Sequence, residues 1–417
     1  IYCKMNNLNY YDVVILGAGA AGLMAAISAA SLNKSVILVE KNEKSGKKIY
    51  ITGKGRCNIT NACNRDDFFE NIVSNPRFLY SAFDGFSNRD MYAFLEENGL
   101  PLKIERGERV FPDSDKSSDV IRTLESKARE LGVDIRYNTK VIKILSEETD
   151  GTKRVAGVET DRGRISASSV IVCTGGISYP STGSDGDGYR FARAYGHEVT
   201  KLYPSLVAFK CGEDICGRLQ GLSLKNISVS IYEGGDKTKP LYTEFGEMLF
   251  THFGVSGPVI LRASALLTDK LGTPKDLYID LKPALTFKQL DDRMLREFKE
   301  GNKSFKNAVK SFLPVRLLEI VLEISGVDPD KSVSVITSAE RKAFIDALQG
   351  LKLTIISTMG YNEAIVTKGG ISVKDISPKT MESKIVKGLY FAGEVLNVSA
   401  YTGGYNLQIA FSTGRLA

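Results

Sequence analysis

Histidine and cysteine are scarce, and no apolar run is long enough to cross a bilayer. The 417-residue chain has two histidines, His197 and His252. Neither has partners at metal-ligand spacing, so no metal centre is expected. The six cysteines (3, 57, 63, 173, 211 and 216) are sparse and uneven, which fits reduced thiols in a cytoplasmic protein better than a disulfide framework. Cys57 and Cys63 lack the close spacing of a redox pair. Ser256 has no nucleophile-elbow context, so serine hydrolase chemistry is not expected. The most apolar stretch, Val13–Ala30, is interrupted by Gly17, Gly19 and Gly22 and reads as strand, turn and helix rather than a membrane span. The first residues carry no apolar stretch ahead of a small-residue cleavage site, so no secretory signal is expected.

The composition is that of an ordinary globular chain: 43% hydrophobic and 25% charged, with 39 glycines. Its length predicts two or three domains. The net charge of +6 is mild. Much of it lies in 282–316, which holds nine Lys/Arg against Asp291, Asp292, Glu297 and Glu300. With few aromatics to stack on bases, this stretch reads as a solvated helical face, and nucleic acid is not the expected partner.

Residues 11–16 form a buried parallel strand, 23–32 an Ala-rich helix, and 35–40 a second strand. Residues 43–65 are polar, Gly- and Lys-rich and aperiodic, hence a long functional loop. Helices are predicted over 76–99 and 117–131, and strands over 133–145 and 154–173. Short strands at 205–210, 224–232 and 277–281 suggest an antiparallel unit, followed by helices through 286–350. A strand within 387–394 and a helix over 404–416 close the chain. The pattern is a discontinuous α/β domain (1–196 and 355–417), interrupted by a β-barrel-like part (197–284 and 351–354) and a helical insert (285–350).

The sharpest motif is Gly17-Ala-Gly-Ala-Ala-Gly22, with Glu40 ending the next strand. Gly17 permits the tight turn, Gly19 lets the backbone approach a pyrophosphate, and Gly22 lets helix and strand pack closely. Ala20 and Ala21 open the helix, whose free N–H groups face the phosphates. Glu40 accepts ribose hydroxyls and repels a 2′-phosphate. A dinucleotide site follows. No second such fingerprint is present: Gly183-Ser-Asp-Gly-Asp-Gly188 is glycine-rich but follows a loop. NAD(P)H as electron donor would therefore bind without an evident fingerprint. The basic loop Ser45-Gly-Lys-Lys48…Thr52-Gly-Lys-Gly-Arg-Cys-Asn58 suits an extended diphosphate cofactor.

Five motifs then occur in order: Thr52–Asn61, Arg109-Val-Phe-Pro112, Leu249–Pro258, Thr367-Lys-Gly-Gly-Ile371 and Phe391–Gln408. With them the chain resembles the HI0933-like flavoprotein family, also described as BaiN-like or aminoacetone-oxidase-like, from about residue 10 onward. The resemblance implies a Rossmann-type FAD-binding domain of the two-dinucleotide-binding kind. It implies non-covalent FAD at Gly17–Gly22, Glu40, Lys41, Lys47, Lys48, Thr52, Gly53, Gly55, Arg56, Cys57 and Asn58. Val141, Thr174, Gly175, Gly393, Glu394, Gly403, Gly404, Tyr405, Asn406 and Leu407 complete that set. Lys54 departs from the pattern, where a small residue is expected, so the loop backbone should differ slightly there.

Glu394 is placed to meet ribityl hydroxyls, and Gly403-Gly404 to open a helix whose dipole faces the flavin. His252 and Tyr405 are the candidates for catalytic roles; Tyr405 either covers the flavin ring or fills core. The expected activity is FAD-dependent hydride transfer with a small-molecule substrate. Two chemistries fit: reduction of a conjugated enone in a steroid- or bile-acid-like molecule, and oxidation of a small amine such as aminoacetone. An RNA-associated flavoprotein is the alternative from another class. Oligomeric state is not legible.

Overall fold

In the parallel sheet the apolar runs Val13–Leu16, Val36–Val39 and Val170–Val172 sit side by side, since strands buried on both faces need no polar alternation. The computed structural model describes residues 10–299 and 303–417; Cys3 and Glu300 fall outside them. The chain forms two compact units. One runs to Ser205 and resumes at Tyr361; the other is Leu206–Gly360. The sequence reading places the corresponding breaks at 196 and 355.

In the first unit the parallel strands stand in the order Asp134–Arg136, Val36–Val39, Tyr10–Leu16, Gly163–Val172 and Leu389–Phe391. An antiparallel hairpin, Val141–Thr149 with Thr152–Thr160, extends it from the start of Gly163–Val172. The helix Ala20–Ser31 lies beside the helix Tyr405–Leu416. Small residues allow that approach: a Cβ on Gly414 would come within 3.0 Å of the Ala21 Cα. Because the strands run parallel, Gly17, Glu40, Thr174 and Ala392 all emerge at one edge of the sheet. That carboxyl-end crevice is where open α/β sheets bind ligands.

The second unit is a closed six-stranded barrel in the order Phe209–Cys211, Gly254–Ser256, Tyr242–Thr251, Ser223–Glu233, Lys275–Asp280 and Leu351–Thr358. The helices between 287 and 349 share one hydrophobic core with it. Reciprocal capping boxes at Thr286/Gln289 and Thr337/Glu340 start two of those helices. Phe305 and Phe312 meet Phe344 edge-to-face. Among the described residues no helix is long and apolar enough to cross a membrane.

Three local expectations differ from the structure. The aperiodic loop 43–65 contains a short helix, Lys47–Ile51. The single strand expected over 205–210 is two, Tyr203–Ser205 and Phe209–Cys211, separated where Leu206 turns to φ +52°. Tyr242–Thr251 is a barrel strand where the sequence reading named none, and Leu351–Thr358 runs on past the 351–354 it gave to the barrel-like part. Outward Phe245 and Ile356, both more than half exposed, blur their alternation.

Candidate cofactor site

The turn after the first strand is held from three sides. Gly17 N–H donates to Val39 O at 2.8 Å, and Cys173 N–H to Leu16 O at 2.9 Å. At φ +97°, Gly17 has no room for a side chain: a Cβ would lie 2.8 Å from Cys173 O. Gly22 is equally closed, since its Cβ would overlap the Gly17 carbonyl group. Gly19, the N-cap of helix Ala20–Ser31, is different. Its backbone is extended, and a Cβ there would meet nothing within 4 Å. The open space therefore lies in front of the helix N-terminus.

Glu40 is 8% exposed and its carboxylate organises the loops around it. Oε2 accepts the Ala18 N–H at 2.8 Å, while Oε1 accepts the Asn42 N–H at 2.8 Å and its Nδ2 at 2.6 Å. Thr139 N–H donates to Glu40 O, which brings the 137–141 segment and buried Val141 alongside. Lys41 pairs with Asp185 at 2.6 Å and Asp187 at 3.1 Å. Lys47 reaches Asn42 and Glu43. Lys48 donates to Ser178 Oγ at 2.6 Å and Glu394 Oε2 at 2.7 Å.

The loop Thr52–Asn58 is left-handed at four positions: Gly53 (φ +57°), Lys54 (+60°), Gly55 (+85°) and Cys57 (+62°). Lys54 thus occupies a conformation that favours glycine, one of the small residues expected there. Arg56 forms a bidentate pair with Glu105, bonds Asp115 at 2.7 Å, and stacks on Phe111 with its guanidinium 4.2 Å from the ring centre. It pins the loop to the hairpin Leu102–Pro112. Cys57 is fully buried, and burial pushes its thiol up to about 12. Such a thiol is inert.

At the other end of the chain, Glu394 Oε1 accepts Ser178 Oγ at 2.9 Å and Thr367 N–H at 2.8 Å. With Lys48 on Oε2, three partners fix this carboxylate and leave Oε2 able to accept once more. Gly393 (φ +79°) donates to Thr413 Oγ1. Gly404 (φ +99°) caps helix Tyr405–Leu416 and packs against Thr60, whose Cα would lie 2.7 Å from an added Cβ. With the Asn58 amide turned to satisfy its neighbours, its oxygen accepts the Gly404 N–H at 3.0 Å. That donor is consumed by protein; the helix's first turn offers those of residues 405–407. Asn406 spends its side chain on Ala400 and Tyr401. The Tyr405 ring is buried edge-on to Phe68 at 5.2 Å, so it fills core.

The structure thus brings Gly17–Gly22, Glu40, Lys48, Thr174, Gly175, Gly393 and Glu394 to one sheet edge. His252 belongs to the second unit, exposed on a barrel hairpin turn and edge-on to Phe253. His197 is buried between Ala192 O and Ser383 Oγ, and burial lowers its pKa. Thr174 Oγ1 is buried without a hydrogen-bond partner. Among the described residues no cluster of His, Cys, Asp and Glu could hold a metal ion. The sequence reading missed Asn42, Ser178, Thr367 and the pair Asp185/Asp187. The alternating Asp-Gly-Asp was the available signal for the last two.

The profile of the HI0933-like protein Rossmann domain matches residues 11–417. A ribosomal RNA dihydrouridine synthase of Escherichia coli is 30% identical over 407 residues, 97% of this chain and 96% of that protein. A 3-dehydro-bile acid delta(4,6)-reductase of Clostridium scindens is 31% identical over 408 residues, 97% of each. A counterpart of the synthase in Haemophilus influenzae is 31% identical over 411 residues, 97% of this chain and 96% of its own. Among solved structures, a 3-ketosteroid-delta4-(5alpha)-dehydrogenase from Rhodococcus jostii RHA1 shares the fold, with a TM-score of 0.55 at 17% identity, covering 99% of this chain and 97% of that one. The chain belongs to the HI0933-like family, and it is an FAD-dependent oxidoreductase built on a Rossmann-type FAD-binding domain.

Proposed function

We propose that this oxidoreductase reduces a carbon–carbon double bond conjugated to a carbonyl, with FAD held non-covalently at the sheet edge described above. One observation carries the reading. Three relatives of matching length are named for two very different substrates, a uridine of ribosomal RNA and a dehydrogenated bile acid. Both names describe adding two hydrogens across such a bond, in one case within a uracil ring and in the other within a steroid ring. The reaction class is the common part.

The residues present fit the cofactor. Open space lies at Gly19 before a helix N-terminus, where diphosphate oxygens find N–H donors. Glu40 presents a carboxylate that Ala18 and Asn42 already orient for ribose hydroxyls. The partnerless Thr174 hydroxyl and the remaining acceptor site on Glu394 suit further hydroxyl or phosphate contacts. When bound and first reduced by a hydride donor such as NADH or NADPH, the flavin would supply the hydride. The N–H groups and dipole at the start of Tyr405–Leu416 would stabilise negative charge beside them. Tyr405, packed edge-on against Phe68, is a packing residue in this reading.

For the acceptor, a steroid-like enone is the first reading, and a uracil of ribosomal RNA is the second. Two of the three full-length relatives favour the second. So do Lys282, Lys288, Arg293, Arg296, Lys299 and Lys310, which form no ion pair among the described residues.

The deciding experiment is anaerobic. The flavin band is followed as NADH or NADPH is added, then as 3-oxo-Δ4,6 bile acid, unmodified ribosomal RNA or aminoacetone is supplied. Bleaching by a reduced nicotinamide and recovery with the bile acid or the RNA is expected. Recovery with neither, together with bleaching of oxidised enzyme by aminoacetone, would replace the reductase by an amine oxidase. Acid precipitation should leave the flavin in the supernatant; a yellow pellet would contradict non-covalent binding.

A further inference from the structure

The segment after the strand Gly163–Val172 is tied to the site twice. The segment runs from Gly175 (φ +72°) to Gly186 (φ +89°), with Tyr179 (+50°) and Gly183 (+99°) also left-handed, before helix Asp187–Ala194 begins. At one end Ser178 Oγ bonds both Lys48 and Glu394. At the other, Asp185 and Asp187 hold Lys41, and Thr182 O accepts Asn42 Nδ2 at 3.2 Å. In the sheet, the strand preceding Lys41 lies on one side of the Gly17 strand. The strand preceding Glu394 lies on the other side, beyond Gly163–Val172. The segment's two anchor points therefore straddle the carboxyl-end crevice.

The lysines are the notable part. Lys41 and Lys48 were both expected to touch the cofactor, yet each is already matched to a carboxylate. We propose that residues 175–187 form a strap across the cofactor crevice, in which Ser178, Asp185 and Asp187 are positioning residues that act through Lys41 and Lys48. This rests on FAD occupying that crevice. The lysines serve as fasteners rather than as phosphate ligands. The Lys41–Asp185 pair is partly solvent-exposed, with the Asp185 side chain 48% exposed, so it opens at modest cost. Left-handed glycines at each end let the backbone swing without distorting the sheet. Cofactor exchange is then governed by unfastening the strap, whereas affinity is set by the crevice beneath.

The test compares FAD association and dissociation rates in the parent protein and in a D185N/D187N variant, using apo-protein and stopped-flow flavin fluorescence. The strap predicts that both rates rise about tenfold, the factor expected from roughly two such pairs. The equilibrium constant should change far less, the apo-protein should keep its unfolding midpoint, and D185E/D187E should restore slow exchange. Slower dissociation in D185N/D187N would mean that the freed Lys41 grips phosphate directly, and would overturn the strap. Unchanged rates would overturn it equally. Should that variant fail to fold, S178A read in the same way decides. A parent protein that takes up no FAD would instead refute the cofactor site itself, so the two failures are told apart before any variant is made.

Discussion

Two glycine turns open the neighbouring helices Ala20–Ser31 and Tyr405–Leu416 of the first unit, and they carry glycine for opposite reasons. At Gly19 a side chain would enter empty space, on the side where a ligand must approach. At Gly404 it would collide with the Thr60 backbone, and the peptide N–H is already taken by Asn58. In sequence both read as helix N-termini poised for an anion. In space one is kept clear for a partner from outside, the other for a neighbour within the chain. A glycine at a helix start therefore marks a binding site only when what its Cβ would touch is known.

Breaking the comparison hardest is Gly404→Val. The φ of +99° and the overlap with Thr60 predict a loss of roughly 3 kcal/mol or more in the apo-protein. Urea unfolding measures it; an unchanged midpoint would mean that this turn is as open as the other. Gly19→Val should do the reverse. Apo stability should stay within about 1 kcal/mol, since the backbone there is ordinary, while flavin loading falls at least about 100-fold through lost phosphate access. Normal flavin-to-protein ratio beside native circular dichroism would remove the diphosphate from Gly19.

Glu40→Ala sits between the two. It strips acceptors from Ala18 and Asn42 as well as from the ribose, so FAD should weaken by about 1.5–3 kcal/mol and apo stability should fall by a similar amount. Isothermal titration and urea melts read the two effects separately; weakened FAD with undisturbed stability would show that the loop does not depend on this carboxylate. Smallest is Lys54→Gly. Relieving a left-handed lysine gains roughly 1–2 kcal/mol, offset by glycine's greater freedom when unfolded. The expected net gain is up to about 1 kcal/mol, and a lowered midpoint would instead reveal a role for the lysine side chain. Cys57, its thiol pushed up to about 12, should resist alkylation at pH 8 until the protein unfolds.

Much of the first unit could be read from the chain because its signals are local. A four-residue apolar run, a glycine and an alanine-rich helix follow one another within a few turns of Tyr10–Ser31. The closing helix was equally plain. What could not be read depends on partners far along the chain. Arg56 looked like a cofactor ligand until Glu105 and Asp115 took its guanidinium. So did Lys41, until Asp185, 144 positions away, met it. Tyr405 could equally have faced a ring or the core, and Phe68 decided for the core. Charged and amphipathic side chains declare their type in sequence, but not which opposite number claims them first.

The two-piece construction of the first unit also has a consequence in time. Gly17, Glu40 and Lys48 leave the ribosome early, while Glu394 and the helix Tyr405–Leu416 follow some 350 residues later. Translation at 5–20 residues per second puts roughly 20–70 s between them. Throughout that interval Thr60 lacks Gln408 and Lys48 lacks Glu394. The intervening barrel and its helices, continuous in sequence from 206 to 360, can close before the first unit has its second half. A nascent chain of this protein is therefore expected to emerge colourless, with the sheet edge unguarded, and to acquire its flavin as a late, nearly terminal event of its own synthesis.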